Sequence, residues 1–117
     1  MRQIKIYHNP KCSNSRNALA LLRENGYEPE IVLYLETPPT REELQTIIEA
    51  TSGSARALMR SKESIYSELE LDHPELTEDA LIDAMLAHPI LINRPIVITQ
   101  KGTRLCRPPE LVLEILP

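Results

Sequence analysis

The sequence has 117 residues, 42% of them hydrophobic and 26% charged, enough for one domain with its own core and no need of disulfide or metal staples. Thirteen basic against 17 acidic residues leave a net charge of -4, which speaks against a protein whose main task is gripping nucleic acid. There is no signal-peptide apolar region and no apolar run approaching the ~18 residues of a membrane span, so the chain is expected in the cytoplasm, with no membrane partner.

The first predicted element is a strand, because Ile4 and Ile6 alternate with polar neighbours up to Tyr7. From Ser13 the period changes: Ala18, Leu19, Leu21 and Leu22 make a helical apolar face that runs until Gly26 supplies a stop. Glu30 to Tyr34 is apolar and β-branched and reads as a second strand, parallel to the first because a helix-containing crossover of about 20 residues joins them. Thr37-Pro38-Pro39 breaks regular structure, and Thr40 with Glu43 forms a capping-box pattern ahead of a helix that ends near Gly53. Short helical pieces follow at Ala55 to Met59, around Ile65 and Leu69, and from Thr77 to His88-Pro89. Ile96-Val97-Ile98, the Lys101-Gly102 turn and Thr103 to Cys106 predict an antiparallel hairpin. Pro108-Pro109 then suits the start of a last helix carrying Leu111, Val112, Ile115 and Leu116.

Within this order the chemistry concentrates at Cys12, the residue between the first strand and the first helix. The first helical turn offers unsatisfied N–H groups and the positive end of the macrodipole, both of which favour a thiolate. Lys11, Arg16 and His8 stand nearby in sequence as sources of positive charge. The thiol is therefore expected to ionise well below the ~8.5 of a free cysteine. Cytosolic thiols stay reduced, so the two cysteines make no disulfide framework, and a cysteine in this setting is more often catalytic than structural. Ser15 stands where a dithiol oxidoreductase has its second cysteine, so Cys12 cannot close a local disulfide. Strand alternation turns Cys106 away from its neighbour Arg107, and it is expected to pack as a small apolar residue. His8, His73 and His88 have no ligand spacing with the cysteines, so no metal is expected. With no P-loop or dinucleotide glycine signature, no tightly bound cofactor is expected either.

The segments around Cys12, Tyr34 to Arg41, Arg56 to Arg60, His88 to Val97 and Gly102 to Pro108 together resemble the glutaredoxin-coupled arsenate reductase family over nearly the full chain. The resemblance implies an α/β thioredoxin-like fold with a mixed four-stranded sheet, a single domain over 1–117 and a helical insertion at about 40–88. It implies an enzyme in which Cys12 attacks arsenate, with glutathione and glutaredoxin as reductants. Arg60, Arg94 and Arg107 match the family's oxyanion-binding arginines, with Ser15 grouped beside them. His8 matches the histidine associated with keeping the cysteine ionised, and Pro95 matches a cis-proline. Arginine suits this task on physical grounds too, because its planar fork offers a tetrahedral oxyanion bidentate donation that Lys cannot copy. The sequence ends at Pro117 where some members carry a longer tail, which leaves the physiological substrate open.

Two other readings share the fold. One is a glutathione-dependent thiol oxidoreductase acting on a substrate other than arsenate. The other is an Spx-type regulator binding RNA polymerase, although Ser15 denies it the Cys-x-x-Cys switch typical of those proteins. Phosphatase-like arsenate reductases are excluded, since their Cys-x5-Arg loop would need arginine at position 18, which is Ala18.

Overall fold

Ile6 has no exposed surface and Ile4 very little, so the alternate positions of the first strand face a core as the pattern requires. The computed structural model describes residues 4–117. The chain divides into two units, Met1–Thr37 with Arg94–Pro117 and Pro38–Asn93.

In the first unit β1 (Lys5–Tyr7) is an inner strand, parallel to β2 (Glu30–Val32) on one side and antiparallel to β3 (Ile96–Thr99) on the other; β4 (Gly102–Leu105) pairs antiparallel with β3 at the far edge. The order is β2-β1-β3-β4, the mixed four-stranded sheet expected of a thioredoxin-like α/β fold. Helix α1 (Ser13–Glu24) buries Ser15, Ala18, Leu19 and Leu22, the i, i+3, i+4, i+7 stripe of one helical face. That stripe packs with Ile4, Ile6, Val97, Val112 and Ile115 into one aliphatic core, and Cys106 lies fully buried in it. Gly26, at φ +87°, ends the helix in the left-handed conformation; its N–H reaches the Arg23 carbonyl, and the Tyr27 N–H reaches the Leu22 carbonyl.

Two elements depart from expectation. The second strand stops at Val32, because the N–H groups of Glu36 and Thr37 both turn back to the Leu33 carbonyl, at 2.9 Å each, and make Leu33 to Thr37 a turn. Within it Tyr34 is fully buried, a contact that overrides the β-propensity of the segment. The last helix is a 3₁₀ stretch, Pro109–Ile115. Its buried residues, Pro109, Val112 and Ile115, recur every three residues, the period at which a 3₁₀ helix keeps one face on the core.

The second unit is helical. α2 (Arg41–Thr51) begins with a complete capping box, in which the Thr40 hydroxyl accepts from the Glu43 N–H and the Glu43 carboxylate accepts from the Thr40 N–H. α3 (Ala55–Leu58), α4 (Ser64–Glu68) and α5 (Glu78–Ala87) follow, then a 3₁₀ turn, Pro89–Leu91. Arg56 ties the irregular segment after α4 to α3 by donating to the Tyr66 hydroxyl and to the carbonyls of Leu71 and His73. The Glu78 carboxylate accepts from the Ala55 N–H and so joins the start of α3 to α5. Among the described residues no helix is long and apolar enough to cross a membrane. Among them, too, no group of three or more His, Cys, Asp or Glu could hold a metal ion.

Candidate active site

Residues Asn9 to Cys12 form the turn between β1 and α1. Asparagine followed by proline is a turn-initiating pair, because Asn can bond its own backbone and Pro presets φ. Here the Asn9 carboxamide oxygen accepts from the Lys11 N–H and the Asn9 carbonyl accepts from the Cys12 N–H, each at 3.0 Å. The turn delivers Cys12 in an extended conformation to the position just before α1, and its carbonyl accepts the first helical hydrogen bond, from the Arg16 N–H.

Burial by itself pushes the Cys12 thiol up, but the Ser15 backbone N–H, the Arg94 and Arg107 side chains and the Asn14 backbone N–H favour the anion. Together they hold the thiol below its usual range. Two of these donors belong to the helix terminus, as position alone implied. The other two come from the strand-rich C-terminal part of the same unit.

Arg107 Nη1 lies 3.7 Å from Cys12 Sγ and also donates to the Arg94 carbonyl at 2.9 Å. With its amide oxygen turned toward the guanidinium, Asn14 accepts from Nη1 and Nη2 of Arg107 at 3.2 Å each. Arg94 is buried, and the peptides Arg94–Pro95 and Arg107–Pro108 are both cis. Two fixed guanidiniums and two backbone N–H groups therefore converge on one sulfur. That arrangement stabilises a thiolate and offers charge-assisted donors to an anion brought to it.

A family model described as the ArsC family matches residues 7–115. The chain belongs to the ArsC family. This ArsC-family chain is 59% identical over 117 residues to the arsenate reductase of Escherichia coli strain K12, covering all of itself and 83% of that protein. It is 53% identical over 116 residues to YfgD of the same strain, described as uncharacterized, with 98% of each covered. The solved structure of an arsenate reductase from Vibrio cholerae superimposes with a TM-score of 0.91 at 51% identity, over 97% of each chain.

The ArsC-family residues singled out from sequence do not all meet. Cys12, Arg94 and Arg107 do, beside the cis Pro95. His8 faces Ser15 instead: its Nδ1 lies 2.6 Å from Ser15 Oγ, which also accepts from the Asn9 N–H at 3.0 Å. Burial first, then the charges of Arg23 and Arg16, lower the His8 pKa and so disfavour the imidazolium. Ser15, expected beside the oxyanion arginines, turns its hydroxyl to His8 and Asn9. That hydroxyl is fully buried, and it is the Ser15 backbone N–H that serves the sulfur. Arg60 lies in the helical unit, where its Nε donates to Glu63 at 2.7 Å and its N–H donates to the Leu91 carbonyl. Its part in oxyanion binding rests on the sequence resemblance. Cys106 is buried in the core, and burial pushes its thiol up to about 12. Sequence reasoning missed Asn14, which steadies Arg107 and carries no motif, and Asn9, whose pairing with Pro10 was a readable turn signal.

Proposed function

We propose that this protein reduces arsenate to arsenite in the cytoplasm, with glutathione and glutaredoxin as reductants. The Cys12 thiolate attacks the arsenic, the S–As bond forms, and one arsenate oxygen leaves as water after protonation. Arg94 and Arg107 offset the charge of the oxyanion while it is bound and as the bond forms. A glutathione thiolate then attacks Cys12 Sγ: the S–S bond forms and the S–As bond breaks with its electron pair left on arsenic. Arsenic passes from As(V) to As(III), takes up protons from solvent and departs as arsenite. Glutaredoxin and a second glutathione reduce the mixed disulfide and regenerate the thiolate.

The observation that carries this reading is the Arg107 guanidinium 3.7 Å from Cys12 Sγ, at a thiol already held below its usual range. The name of the relative at 59% identity supports arsenate as the oxyanion. Position 15 is serine, whose hydroxyl cannot form a disulfide with Cys12, which supports an external thiol. The test is NADPH oxidation by purified protein with glutathione, glutaredoxin and glutathione reductase. Oxidation should require arsenate. Turnover with disulfide substrates but none with arsenate would leave a thiol oxidoreductase in its place.

A further inference from the structure

Beside the turn that carries Cys12 lies a cavity of about 360 Å³ lined by His8, Asn9, Pro10 and Lys11 on one side and by Leu33, Leu35 and Glu36 on the other. All of these residues belong to the first unit. The volume falls within the range of about 300–1,000 Å³ usual for small-molecule sites. The turn after β2 shapes one wall. Tyr34 is drawn wholly inside, so its neighbours Leu33 and Leu35 are turned outward and stand 38% and 41% exposed. Two leucines held open to water across from the turn that leads into Cys12 form an apolar surface that a ligand would cover. At its margins are one cation, Lys11, and one anion, Glu36; neither is in an ion pair with another described residue.

We infer that this groove holds glutathione for its attack on Cys12, an inference that rests on the function proposed above. A tripeptide thiol with carboxylates and one α-ammonium fits a groove with a cation at the turn, an anion at the opposite wall and an apolar wall between. Lys11 takes the glycine carboxylate, Glu36 takes the α-ammonium of the γ-glutamyl end, and the cysteinyl portion lies along Leu33, Leu35 and Pro10. Lys11 immediately precedes Cys12, so a tripeptide seated there lies one residue along the chain from the nucleophile. Arg94 lies just before β3 and Arg107 just after β4, so the oxyanion donors come from a different part of the unit than the groove.

The test needs no arsenate. With oxidised glutathione, the Cys12 thiolate attacks one sulfur, a Cys12–glutathione disulfide forms and glutathione thiolate leaves; mass spectrometry follows the rate. Glu36→Gln should slow this reaction about threefold to fivefold, the worth of an exposed ion pair, and Leu35→Ser by about threefold. The rate with the small uncharged hydroxyethyl disulfide should stay within about twofold of the parent for both variants. Toward a glutathione disulfide N-acetylated at its α-amino groups, Glu36→Gln should have no further effect, since the partner is already gone. Equal slowing with both disulfides, or no slowing with either, would overturn the groove. A parent without arsenate turnover whose glutathionylation still depends on Glu36 and Leu35 would remove arsenate as the substrate and leave the glutathione site standing. A parent that turns over arsenate with an unchanged KM for glutathione in both variants would remove the site alone.

Discussion

At the scale of single residues, the two cysteines have opposite chemistry because their surroundings differ. Cys12 is half-buried among donors, and its thiol is held down by the Ser15 and Asn14 N–H groups and by Arg94 and Arg107 against the cost of burial. The rate of alkylation by a neutral reagent should therefore titrate with a midpoint clearly below ~8.5. Arg107→Lys should raise that midpoint, because a lysine ammonium cannot bond the Arg94 carbonyl and Asn14 and still present a fixed donor to the sulfur. The same substitution should lower kcat/KM for arsenate by roughly 1.5–3 kcal/mol, the usual worth of a hydrogen bond to a charged group. An unchanged midpoint would mean that the helix terminus and Arg94 hold the thiol down without Arg107. Cys106 behaves in the reverse sense: with its thiol at about 12, it stays protonated in the folded chain at a pH where the unfolded chain has ionised. The folded state then binds more protons, so stability falls as pH rises from ~8.5 toward the folded value, by up to ~1.4 kcal/mol per pH unit. Melting temperatures of parent and Cys106→Ala across this range check it, and the variant should show the shallower decline.

At the scale of elements, the turn from Asn9 to Cys12 and the first turn of α1 act as one piece, held from behind by His8 and Ser15. The Ser15 hydroxyl satisfies both His8 Nδ1 and the Asn9 N–H. Ser15→Ala would leave these two buried groups without it, at a cost of about 1–3 kcal/mol by denaturant titration. The variant keeps its backbone N–H, so the Cys12 midpoint should move less than in Arg107→Lys. A larger movement would mean that the hydroxyl, rather than the backbone, tunes the thiolate. In the helical unit the capping box at Thr40 was legible in sequence because its bonds run only three residues. The end of β2 was not, since Leu33 to Leu35 has strand composition and only the burial of Tyr34 makes it a turn. The last helix was legible as a helix but not as 3₁₀, because Val112 and Ile115 take the three-residue period only against the core they meet.

At the scale of the whole molecule, the proposed mechanism needs one reactive cysteine and an external thiol. Cys106 sits fully buried among Ile4, Ile6, Leu22 and Val97 and is kept protonated by that burial. Cys106→Ser should therefore retain turnover near the parent value with a modest loss of stability, while Cys12→Ser should abolish it. Turnover should also stop when glutathione is omitted, even with thioredoxin present. After arsenate and glutathione, mass spectrometry should find one glutathione on Cys12. An intramolecular Cys12–Cys106 disulfide, with loss of activity in Cys106→Ser, would sink the monothiol mechanism.

The order of elements, the parallel β1–β2 crossover, the hairpin and the placing of Cys12 before α1 follow from the sequence by itself. These depend on periodicity and on helix termini, interactions that span a few residues. What the sequence could not decide is which distant groups meet the sulfur and which turn away. Arg107 lies 95 residues from Cys12 and reaches it because β3 and β4 return the chain beside β1, with Asn14 and the Arg94 carbonyl fixing its guanidinium. His8 and Ser15 stand close to Cys12 in sequence, yet their side chains bond each other. Desolvation disfavours the charged histidine, and burial depends on everything packed around a residue rather than on its neighbours in the chain.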